Sequence, residues 1–355
     1  MIPPGGEAIV AEDVERLLVR TAGVWQGFRG ARVFVTGGTG FFGSWLVRSL
    51  VAADAAFGLG LRVTVLSRSP DRFAARHPRL AAAGPLCLVA GDVRDFVFPQ
   101  DPFTHVIHAA TEASARLERD DPRTMEEVCR EGTRRVLALA DACGADRFLF
   151  TSSGAVYARP PRPVDRFSEE MPTTPCPGES AGAYASGKRA AERLCLDAAS
   201  RGAGVTIARC FAFVGPGLPL DTHFAIGNFI RDAVAGGPIV VRGDGTPVRS
   251  YLYAADLVEW LATILLRGRP GRAYNVGSDE GIPVGAVAGR VADAAAVLFP
   301  HRPRPGVVVE GAATPGAAAS AYVPDCVRAR TELGLRTTTA LDEAIRRTMA
   351  ASTAP

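Results

Sequence analysis

Short apolar runs alternate with longer amphipathic stretches over much of the chain. The apolar runs have the length and residue types of buried strands, and they cover residues 32–35, 61–66, 86–90, 105–109, 147–151 and 205–209. Apolar spacing between them predicts helices over residues 42–53, 124–143 and 184–199. Because strands alternate with helices, the pattern predicts an α/β fold with a parallel sheet between two helical layers.

The pattern differs at both ends of this region. Residues 1–30 are interpreted as an N-terminal extension with one helical stretch, and residues 31–211 as the main α/β domain. After Phe211 the alternation gives way to loops rich in glycine and proline. Residues 212–355 are therefore predicted to form mainly a smaller C-terminal lobe, with segments that return to the main domain.

Composition and charge limit the classes of protein to which the chain can belong. The 355 residues are 47% hydrophobic and 22% charged, and the net charge of +3 gives no reason to expect nucleic acid or an anionic membrane as a partner. No stretch approaches the roughly 18 apolar residues of a membrane span, and Met1 to Val10 lacks the features of a signal peptide. Seven cysteines without CxxC spacing are expected to be reduced. We expect a cytoplasmic protein without a metal site.

A glycine-rich turn follows the first predicted strand and opens the first long helix. Gly37, Gly40 and Gly43 have GxxGxxG spacing, with Phe41 and Phe42 between the last two. Glycine lets backbone N–H groups approach a pyrophosphate and lets the helix pack closely on the strand. A structural turn is the alternative, but the strand–turn–helix context favours a Rossmann-type, doubly wound dinucleotide-binding domain.

The ends of the next strands predict the remaining cofactor contacts. The second strand ends in Ser67-Arg68 and lacks the acid that would bond the ribose of NAD, so Arg68 favours the 2′-phosphate of NADP. Solvated arginine is the alternative interpretation. Asp92 ends the third strand and is assigned to the adenine, although a turn-forming aspartate would look the same. The other residues assigned to the cofactor are Val93, Ala109 and Ala110.

Tyr184 and Lys188 are the candidate catalytic pair. Residues four apart on a helix share a face, and an ammonium group lowers the pKa of a nearby phenol towards the range of a useful base. Lysine and arginine total 40 residues, yet Lys188 is the one lysine among them. Its position four residues after one of six tyrosines has a random chance of about 1 in 60, which disfavours a solvated pair.

The fifth predicted strand ends in the hydroxyl residues Thr151, Ser152 and Ser153. Parallel sheets bind ligands at the carboxyl ends of their strands. A hydroxyl at that place can orient a substrate oxygen towards Tyr184. A serine turn or helix cap is the alternative, which the downstream Tyr184–Lys188 pair disfavours.

With these motifs, the chain resembles the extended short-chain dehydrogenase/reductases, and among them the NAD-dependent epimerase/dehydratase family that modifies nucleotide sugars. The resemblance runs from about residue 32 to residue 350. Besides the turn and the YxxxK pair, its motifs are Gly91-Asp92, His108-Ala109-Ala110, Thr151-Ser152-Ser153, Gly215-Pro216-Gly217, Arg249-Ser250-Tyr251 and Tyr274-Asn275-Val276-Gly277.

The resemblance implies a role for each matched residue. Tyr184 would be the base, Lys188 its activator and Ser153 the hydroxyl partner, and both Tyr184 and Lys188 would also contact the cofactor. Arg249 would contact the nucleotide diphosphate, and the C-terminal lobe would hold the sugar nucleotide. The expected substrate contacts are Ser152, Ser153, Asn228 and Arg249. A homodimer formed through helices 124–143 and 184–199 is also expected.

Departures from the family pattern bear on the reaction. The family's 4,6-dehydratases carry an Asp-Glu pair where this chain has Gly154-Ala155, and its UDP-glucuronate decarboxylases carry a glutamate where Ala155 stands. The usual asparagine of the Arg-x-Phe-Asn stretch is Ala212. What remains is the minimal machinery for hydride transfer.

The leading prediction is an NAD(P)-dependent nucleotide-sugar epimerase that oxidises sugar C4 transiently. The alternative is an NADPH-dependent nucleotide-sugar 4-ketoreductase, which Arg68 favours. A 4,6-dehydratase is disfavoured because the acid pair is missing. A cofactor-binding protein without turnover is disfavoured because Tyr184, Lys188 and Ser153 are intact.

Overall fold

Parallel strands form the central sheet of the protein. The structure, a computed structural model, describes residues 6–110, 115–158, 160, 162–175, 182–222, 224–314 and 319–353. Its strands are β1 (Arg32–Thr36), β2 (Arg62–Ser67), β3 (Leu86–Ala90), β4 (His105–His108), β5 (Arg147–Ser153), β6 (Val205–Cys210), β7 (Phe213–Val214), β8 (Ile239–Val241), β9 (Val248–Arg249), β10 (Leu252–Tyr253), β11 (Ala273–Val276), β12 (Ile282–Pro283), β13 (Val307–Val309) and β14 (Ala321–Tyr322). In the described residues, the central sheet has the order β3-β2-β1-β4-β5-β6-β11.

Helices cover the sheet on both sides. The described helices are α1 (Gly6–Arg20), α2 (Ala22–Trp25), α3 (Phe41–Phe57), α4 (Pro70–Arg76), α5 (Pro78–Ala81), α6 (Ala115–Asp120), α7 (Pro122–Cys143), α8 (Ala183–Ser200), α9 (Ala225–Val234), α10 (Ala254–Arg267), α11 (Val284–Leu298), α12 (Val327–Leu333) and α13 (Leu341–Thr353). Two 3-10 turns lie at Gln26–Phe28 and Gly154–Val156. Of these helices, none has the length and apolar character needed to cross a membrane.

The two helical layers follow from the alternation of side chains along the strands. Val33 and Val35 of β1 are buried in one core with helices α3 and α10. Phe34, which lies between them, is buried in a second core with α7 and α8. Because successive residues of a strand point to opposite faces, strands buried on both faces read as continuous apolar runs. The α/β fold with a doubly wound parallel sheet is confirmed.

The register of the strands brings their carboxyl ends to one edge. Thr36 of β1 pairs with His108 of β4. Further along the sheet, Ser153 of β5 pairs with Cys210 of β6. The strand order reverses between β1 and β4, where doubly wound folds leave a crevice for a ligand.

The N-terminal extension forms part of the packed structure. Val10, Val14 and Leu17 of α1 are buried. Asp13 is also buried, accepts a hydrogen bond from the Tyr253 phenol and pairs with Arg347 of α13 at 2.7 Å. Burial raises the pKa of Asp13. The helix therefore ties the N-terminal extension to the C-terminal half of the chain.

The loss of α/β alternation expected after Phe211 is only partial. Strand β11 pairs with β6 and completes the sheet, and α10 lies against it. Residues Ala254 to Leu265 of α10 are almost all buried. Its polar residues nevertheless recur at helical spacing, at Asp256, Glu259, Thr263 and Arg267. The small strands of the C-terminal half form separate ladders, among them β12-β9-β14.

Candidate active site

Helix α8 places Tyr184 and Lys188 at the carboxyl edge of the sheet. It begins at Ala183, so both residues lie in its first turns, on one face. Lys188 is 3% exposed, and its Nζ donates to the Thr151 carbonyl oxygen of β5 at 2.7 Å. The ammonium nitrogen lies 5.8 Å from the centre of the Tyr184 ring. Lys188 is thus fixed between the sheet and the tyrosine.

A carboxylate from another helix holds the start of α8. Glu118 of α6 accepts a hydrogen bond from the Tyr184 backbone N–H at 3.3 Å. A Cβ on Gly182 would lie 2.2 Å from the Glu118 carboxylate oxygen. The first amides of a helix have no partner within the helix, so Glu118 caps the helix that carries the tyrosine. Sequence reasoning missed this residue.

Ser153 lies beside the tyrosine at the end of β5. Its hydroxyl accepts a hydrogen bond from the Ala155 N–H at 3.2 Å. Burial raises the pKa of the Tyr184 phenol, and the nearby Ser153 hydroxyl lowers it by a smaller amount. Burial likewise lowers the pKa of Lys188. The structure therefore brings together the three predicted catalytic residues.

Ser152 points away from this group. Its hydroxyl donates to the Glu192 carboxylate of α8 at 2.5 Å. Glu192 also forms a buried ion pair with Arg209 of β6 at 2.8 Å, and Arg209 donates to the Tyr157 phenol at 3.2 Å. Neighbouring residues of a strand face opposite sides. The structure thus places Ser152 in a buried polar network behind the site, whereas Ser153 faces Tyr184.

Tyr322 is a second phenol at this edge, and sequence reasoning missed it. A Cβ on Gly154 would lie 2.6 Å from the Tyr322 hydroxyl oxygen, so this phenol lies beside the end of β5. Tyr322 of β14 pairs with Arg249 of β9, so it lies between the end of β5 and the residue assigned to the diphosphate. Its position depends on a strand pairing between segments far apart in sequence, and no local motif indicates it.

The glycine turn has the close approaches that a phosphate cradle needs. Gly37 has a φ of 71°, and a Cβ on it would lie 2.4 Å from the Ala109 carbonyl oxygen. A Cβ on Gly43 would lie 2.1 Å from the Gly37 carbonyl oxygen. Gly40 precedes the first residue of α3, so N–H groups at the start of this helix are available to an anion. These residues fit a dinucleotide pyrophosphate.

The other residues assigned to the cofactor surround the same turn. Phe42 packs edge-on against Phe213, with ring centres 4.8 Å apart. Phe41 follows Gly40 as the first residue of α3. The Ala110 N–H donates to the Thr36 hydroxyl at 3.2 Å, which holds the segment after β4 beside the turn.

The residues predicted to bind the adenosine part of the cofactor lie at the carboxyl ends of β2 and β3. The Ser67 carbonyl accepts from the Gly91 N–H at 3.0 Å, which places Asp92 beside the end of β2. Arg94 donates to both carboxylate oxygens of Asp92, at 2.8 Å and 3.1 Å. This pairing lowers the pKa of Asp92, and the charge of Arg68 lowers it further. Val93 turns inwards and is buried. Sequence reasoning missed Arg94.

Arg249 and Asn228, the two remaining substrate assignments, lie in the C-terminal half. Arg249 donates to the Val248 carbonyl at 2.8 Å and to the Ser320 carbonyl at 3.1 Å. Asn228 of α9 accepts from Arg231 at 3.2 Å. In this structure both side chains bond within the protein. No group of three His, Cys, Asp or Glu side chains able to hold a metal occurs among the described residues.

Comparison with known proteins gives the family. A sequence model of the NAD dependent epimerase/dehydratase family matches residues 33–277. The chain belongs to this family. The match confirms the expected family and the enzyme class that was predicted with it, an extended short-chain dehydrogenase/reductase. Tyr322 lies outside the matched residues.

The first curated relatives that the chain matches are enzymes that act on nucleotide sugars. UDP-glucuronic acid decarboxylase 1 of Arabidopsis thaliana is 33% identical over 252 residues, which make up 70% of this chain and 54% of that protein. The chain thus spans about half the length of the first curated relatives that it matches.

Solved structures of the family cover nearly the whole chain. The UDP-glucose 4-epimerase of Thermus thermophilus, in complex with NAD, has a TM-score of 0.74 at 28% identity and covers 91% of this chain and 100% of that one. MoeE5 in complex with UDP-glucuronic acid and NAD has a TM-score of 0.72 at 27% identity, over 90% and 98% of the two chains.

Proposed function

We propose that this protein is an NAD(P)-dependent nucleotide-sugar 4-epimerase. The observation that carries the proposal is the group formed by Ser153, Tyr184 and Lys188 at the carboxyl edge of the sheet, beside a glycine turn shaped for a pyrophosphate. A nicotinamide held beside these residues would supply a reversible acceptor for the sugar hydride. The protein's part is to hold the sugar hydroxyl, take its proton and exclude competing chemistry.

Proton transfer at the sugar oxygen is assigned to Tyr184. Its phenolate takes the proton of the C4 hydroxyl as the C4 hydride leaves, and its phenol returns a proton when the ketone is reduced. Burial opposes the phenolate, so a fixed positive charge has to favour it. The ammonium of Lys188, 5.8 Å from the ring centre, is such a charge. Ser153 holds the substrate oxygen within reach of Tyr184.

The glycine turn is proposed to hold the cofactor pyrophosphate, and Arg68 with Asp92 to hold the adenosine. A UDP-sugar is the proposed substrate class, because the solved relatives include a UDP-glucose 4-epimerase and a complex with UDP-glucuronic acid. Arg249 is proposed to contact the diphosphate, since its planar fork suits that group. It would then exchange its carbonyl partners for phosphate oxygens.

The curated relatives favour oxidative decarboxylation as a second candidate. Oxidation of a uronic acid at C4 gives a β-keto acid, which loses carbon dioxide when the C4 carbonyl accepts the electrons of the broken bond. Decarboxylation needs the same C4 oxidation as epimerisation. The residue that argues against decarboxylation is Ala155, which stands where the decarboxylases carry a glutamate.

The ketoreductase alternative is supported by Arg68, whose positive charge lowers the pKa of Asp92 at the end predicted to bind adenosine.

Product analysis distinguishes these reactions. The NAD-loaded protein is incubated separately with UDP-glucose and UDP-glucuronic acid, and the products are identified by mass spectrometry and proton NMR. An epimerase gives a product of unchanged mass with an inverted C4 proton, and a decarboxylase gives a product that has lost carbon dioxide. Tyr184→Phe is the matched control. If neither sugar changes, with either NAD or NADP, the proposal fails for UDP-sugars.

Identification of the cofactor that the purified protein retains is a second test. Mass spectrometry of the acid-denatured protein shows which dinucleotide it carries. NAD at nearly one per chain supports the epimerase, because that reaction recycles its cofactor. An empty protein that binds NADPH from solution supports the reductase. The homodimer through α7 and α8 stays a prediction, which light scattering after size-exclusion chromatography tests.

A further inference from the structure

Lys188 lies between a phenol and a carboxylate on helix α8. Tyr184 precedes it by four residues and Glu192 follows it by four, so all three lie on one face of the helix. Glu192 is 4% exposed and Lys188 is 3% exposed. Because opposite charges attract strongly when they are buried, an unpaired Glu192 carboxylate would compete with Tyr184 for the ammonium.

The Glu192 carboxylate is instead bound by Arg209 of β6. Arg209 donates from Nε to one carboxylate oxygen at 3.0 Å and from Nη2 to the other at 2.8 Å. A fork that engages both oxygens is a strong and directional geometry. The third nitrogen of the guanidinium, Nη1, donates to the Tyr157 phenol at 3.2 Å, and that phenol donates to the Asn275 side-chain oxygen at 2.6 Å. Arg209 is thus fixed from both sides.

The end of β5 holds the two charges of α8 apart. The Thr151 carbonyl accepts from the Lys188 ammonium at 2.7 Å. The next residue, Ser152, donates its hydroxyl to Glu192 at 2.5 Å. Lys188 therefore lies on the backbone of β5 below the Tyr184 ring, while Glu192 is directed towards β6.

Neutral groups face Lys188 and Tyr184 from the other elements around them. Burial disfavours a charge on such groups, and it raises the pKa of Cys210 to about 12 and lowers that of His108 to about 3. These groups include Cys129 of α7, Cys195 of α8, Cys210 of β6, Tyr322 of β14 and His108 of β4. Glu118 of α6 is a carboxylate, but it bonds the backbone N–H at the start of α8. Among the described residues, the buried charges beside the ammonium are thus those of Glu192 and Arg209.

We propose that Arg209 is a positioning residue for the hydride-transfer reaction: by binding both oxygens of Glu192 it keeps that carboxylate from pairing with Lys188, so the ammonium stays below the Tyr184 ring. No covalent bond changes in this role. The catalytic consequence rests on the proposed function, whereas the effect on Lys188 does not depend on a substrate. The charges of Arg209 and Glu192 should therefore offset each other at Lys188.

Lys188 can be observed directly because it is the one lysine of the chain. Carbon-13 labelling of lysine Cε gives a single lysine signal, and its shift with pH measures the pKa of Lys188 in the NAD-loaded protein. Glu192→Gln leaves Arg209 as an unbalanced cation, so this pKa should fall by about one unit or more, the usual effect of a nearby charge. Arg209→Met frees the carboxylate to pair with the ammonium, so the pKa should rise by a similar amount.

The double variant, Glu192→Gln with Arg209→Met, is the decisive comparison. Both charges are absent, so the pKa of Lys188 should return to within about half a unit of the wild-type value. Replacing a whole buried ion pair is far less destabilising than breaking it, so this comparison holds even if Arg209→Met alone does not fold. An unchanged pKa in Glu192→Gln overturns the inference, and so does a double variant whose pKa is as low as that of Glu192→Gln.

Glu332→Gln is the matched control. Glu332 pairs with Arg272 at 2.6 Å and accepts from the Tyr274 phenol, beside the amino end of β11 and thus away from the carboxyl edge. Its loss also leaves an arginine unpaired, yet the pKa of Lys188 should keep its wild-type value. Circular dichroism checks the fold of each variant. A shift as large as that of Glu192→Gln would trace the effect to the general loss of an ion pair and overturn the inference.

Turnover separates this inference from the proposed function. If the protein converts a UDP-sugar, the acidic limb of its kcat against pH should move to higher pH in Arg209→Met, because a paired ammonium supports the Tyr184 phenolate less. The double variant should reverse that movement. The expected pattern of Lys188 pKa values without turnover of any UDP-sugar would refute the proposed function and leave the role of Arg209 intact. Turnover without that pattern would do the reverse.

Discussion

Lys188 donates a hydrogen bond to the Thr151 carbonyl oxygen at 2.7 Å, and this bond fixes the depth of the ammonium below the Tyr184 ring. The Phe150 ring centre lies 4.8 Å from the same nitrogen. The ammonium thus has one anchored position between a strand and a helix. At so confined a position, the effect of a substitution depends on the shape of the new side chain as well as on its charge.

Lys188→Arg should fold but lose activity. The planar guanidinium cannot take the place of a compact ammonium that is buried against the Thr151 carbonyl. We expect a loss of roughly 100-fold or more in kcat, since the base would lose its activating charge. Steady-state kinetics measure the loss, and circular dichroism checks the fold. Wild-type kcat in a folded variant would show that Lys188 serves only as a charge.

Tyr184→Phe should remove turnover and spare cofactor binding. General bases contribute roughly 10²–10⁴-fold, so kcat should fall by about that factor. Fluorescence titration should give an NAD affinity close to that of the wild type, because the phosphate turn is untouched. The matched control is Tyr274→Phe. Turnover within about tenfold of the wild type would exclude Tyr184 as the base.

Gly43→Ala should weaken cofactor binding. The added Cβ would lie 2.1 Å from the Gly37 carbonyl oxygen and 2.4 Å from the Gly38 Cα, so the turn has to move. We expect roughly tenfold weaker dinucleotide binding or worse, because displacements of about 1 Å at a binding site have large effects. Gly84→Ala is the control, since a Cβ there meets nothing within 4 Å. Isothermal titration calorimetry compares the two, and equal affinities would show that the turn does not bind the dinucleotide.

Arg68→Ala should discriminate between the two cofactors. If Arg68 binds the 2′-phosphate, its loss should weaken NADP binding by about 10- to 100-fold, the effect of a charged hydrogen bond. NAD, which lacks that phosphate, should be affected much less. Paired calorimetric titrations give the ratio. An equal change for both cofactors would refute the assignment.

His108 should make stability depend on pH. Its Nδ1 accepts from the Thr36 hydroxyl at 2.7 Å, and its Nε2 lies 3.0 Å from the Thr133 hydroxyl. Thr133 donates its own proton to the Cys129 carbonyl, so Nε2–H is the donor of that pair. Burial first, and the charge of Lys188 second, lower the pKa of His108 from 6.5 to about 3.

The sign of that dependence follows from proton uptake. Between pH 6.5 and about 3 the unfolded chain binds a proton at His108 that the folded protein rejects, so stability falls as pH falls, by up to about 1.4 kcal/mol per unit. His108→Gln should give a shallower decline in the free energy of unfolding, measured with urea at several pH values. His301→Gln, at an exposed position, is the control. Identical slopes for His108→Gln and wild type would contradict the prediction.

Much of the central sheet could be predicted because its strands and the helices beside it are indicated by residues close together in the sequence. Strands β1, β2, β4, β5 and β6 are largely buried, and β3 is partly exposed, but all six appear as apolar runs. Helices α7 and α8 keep an amphipathic period. Helix α10 also has polar residues at helical spacing, Asp256, Glu259, Thr263 and Arg267, but sequence reasoning missed it. Strand β11 has four residues and joins the sheet only through its pairing with β6.

The sequence by itself determined the glycine turn, the spacing of Tyr184 and Lys188, and the hydroxyl residues at the end of β5. These features depend on residues close together in the chain, whose geometry a helix or strand dictates. Only the tertiary structure decided that Ser153 faces Tyr184 while Ser152 joins Glu192, and that the Tyr322 phenol lies against Gly154. Those contacts arise from which face a strand buries and from pairing between distant segments, and both are settled by packing of the whole chain.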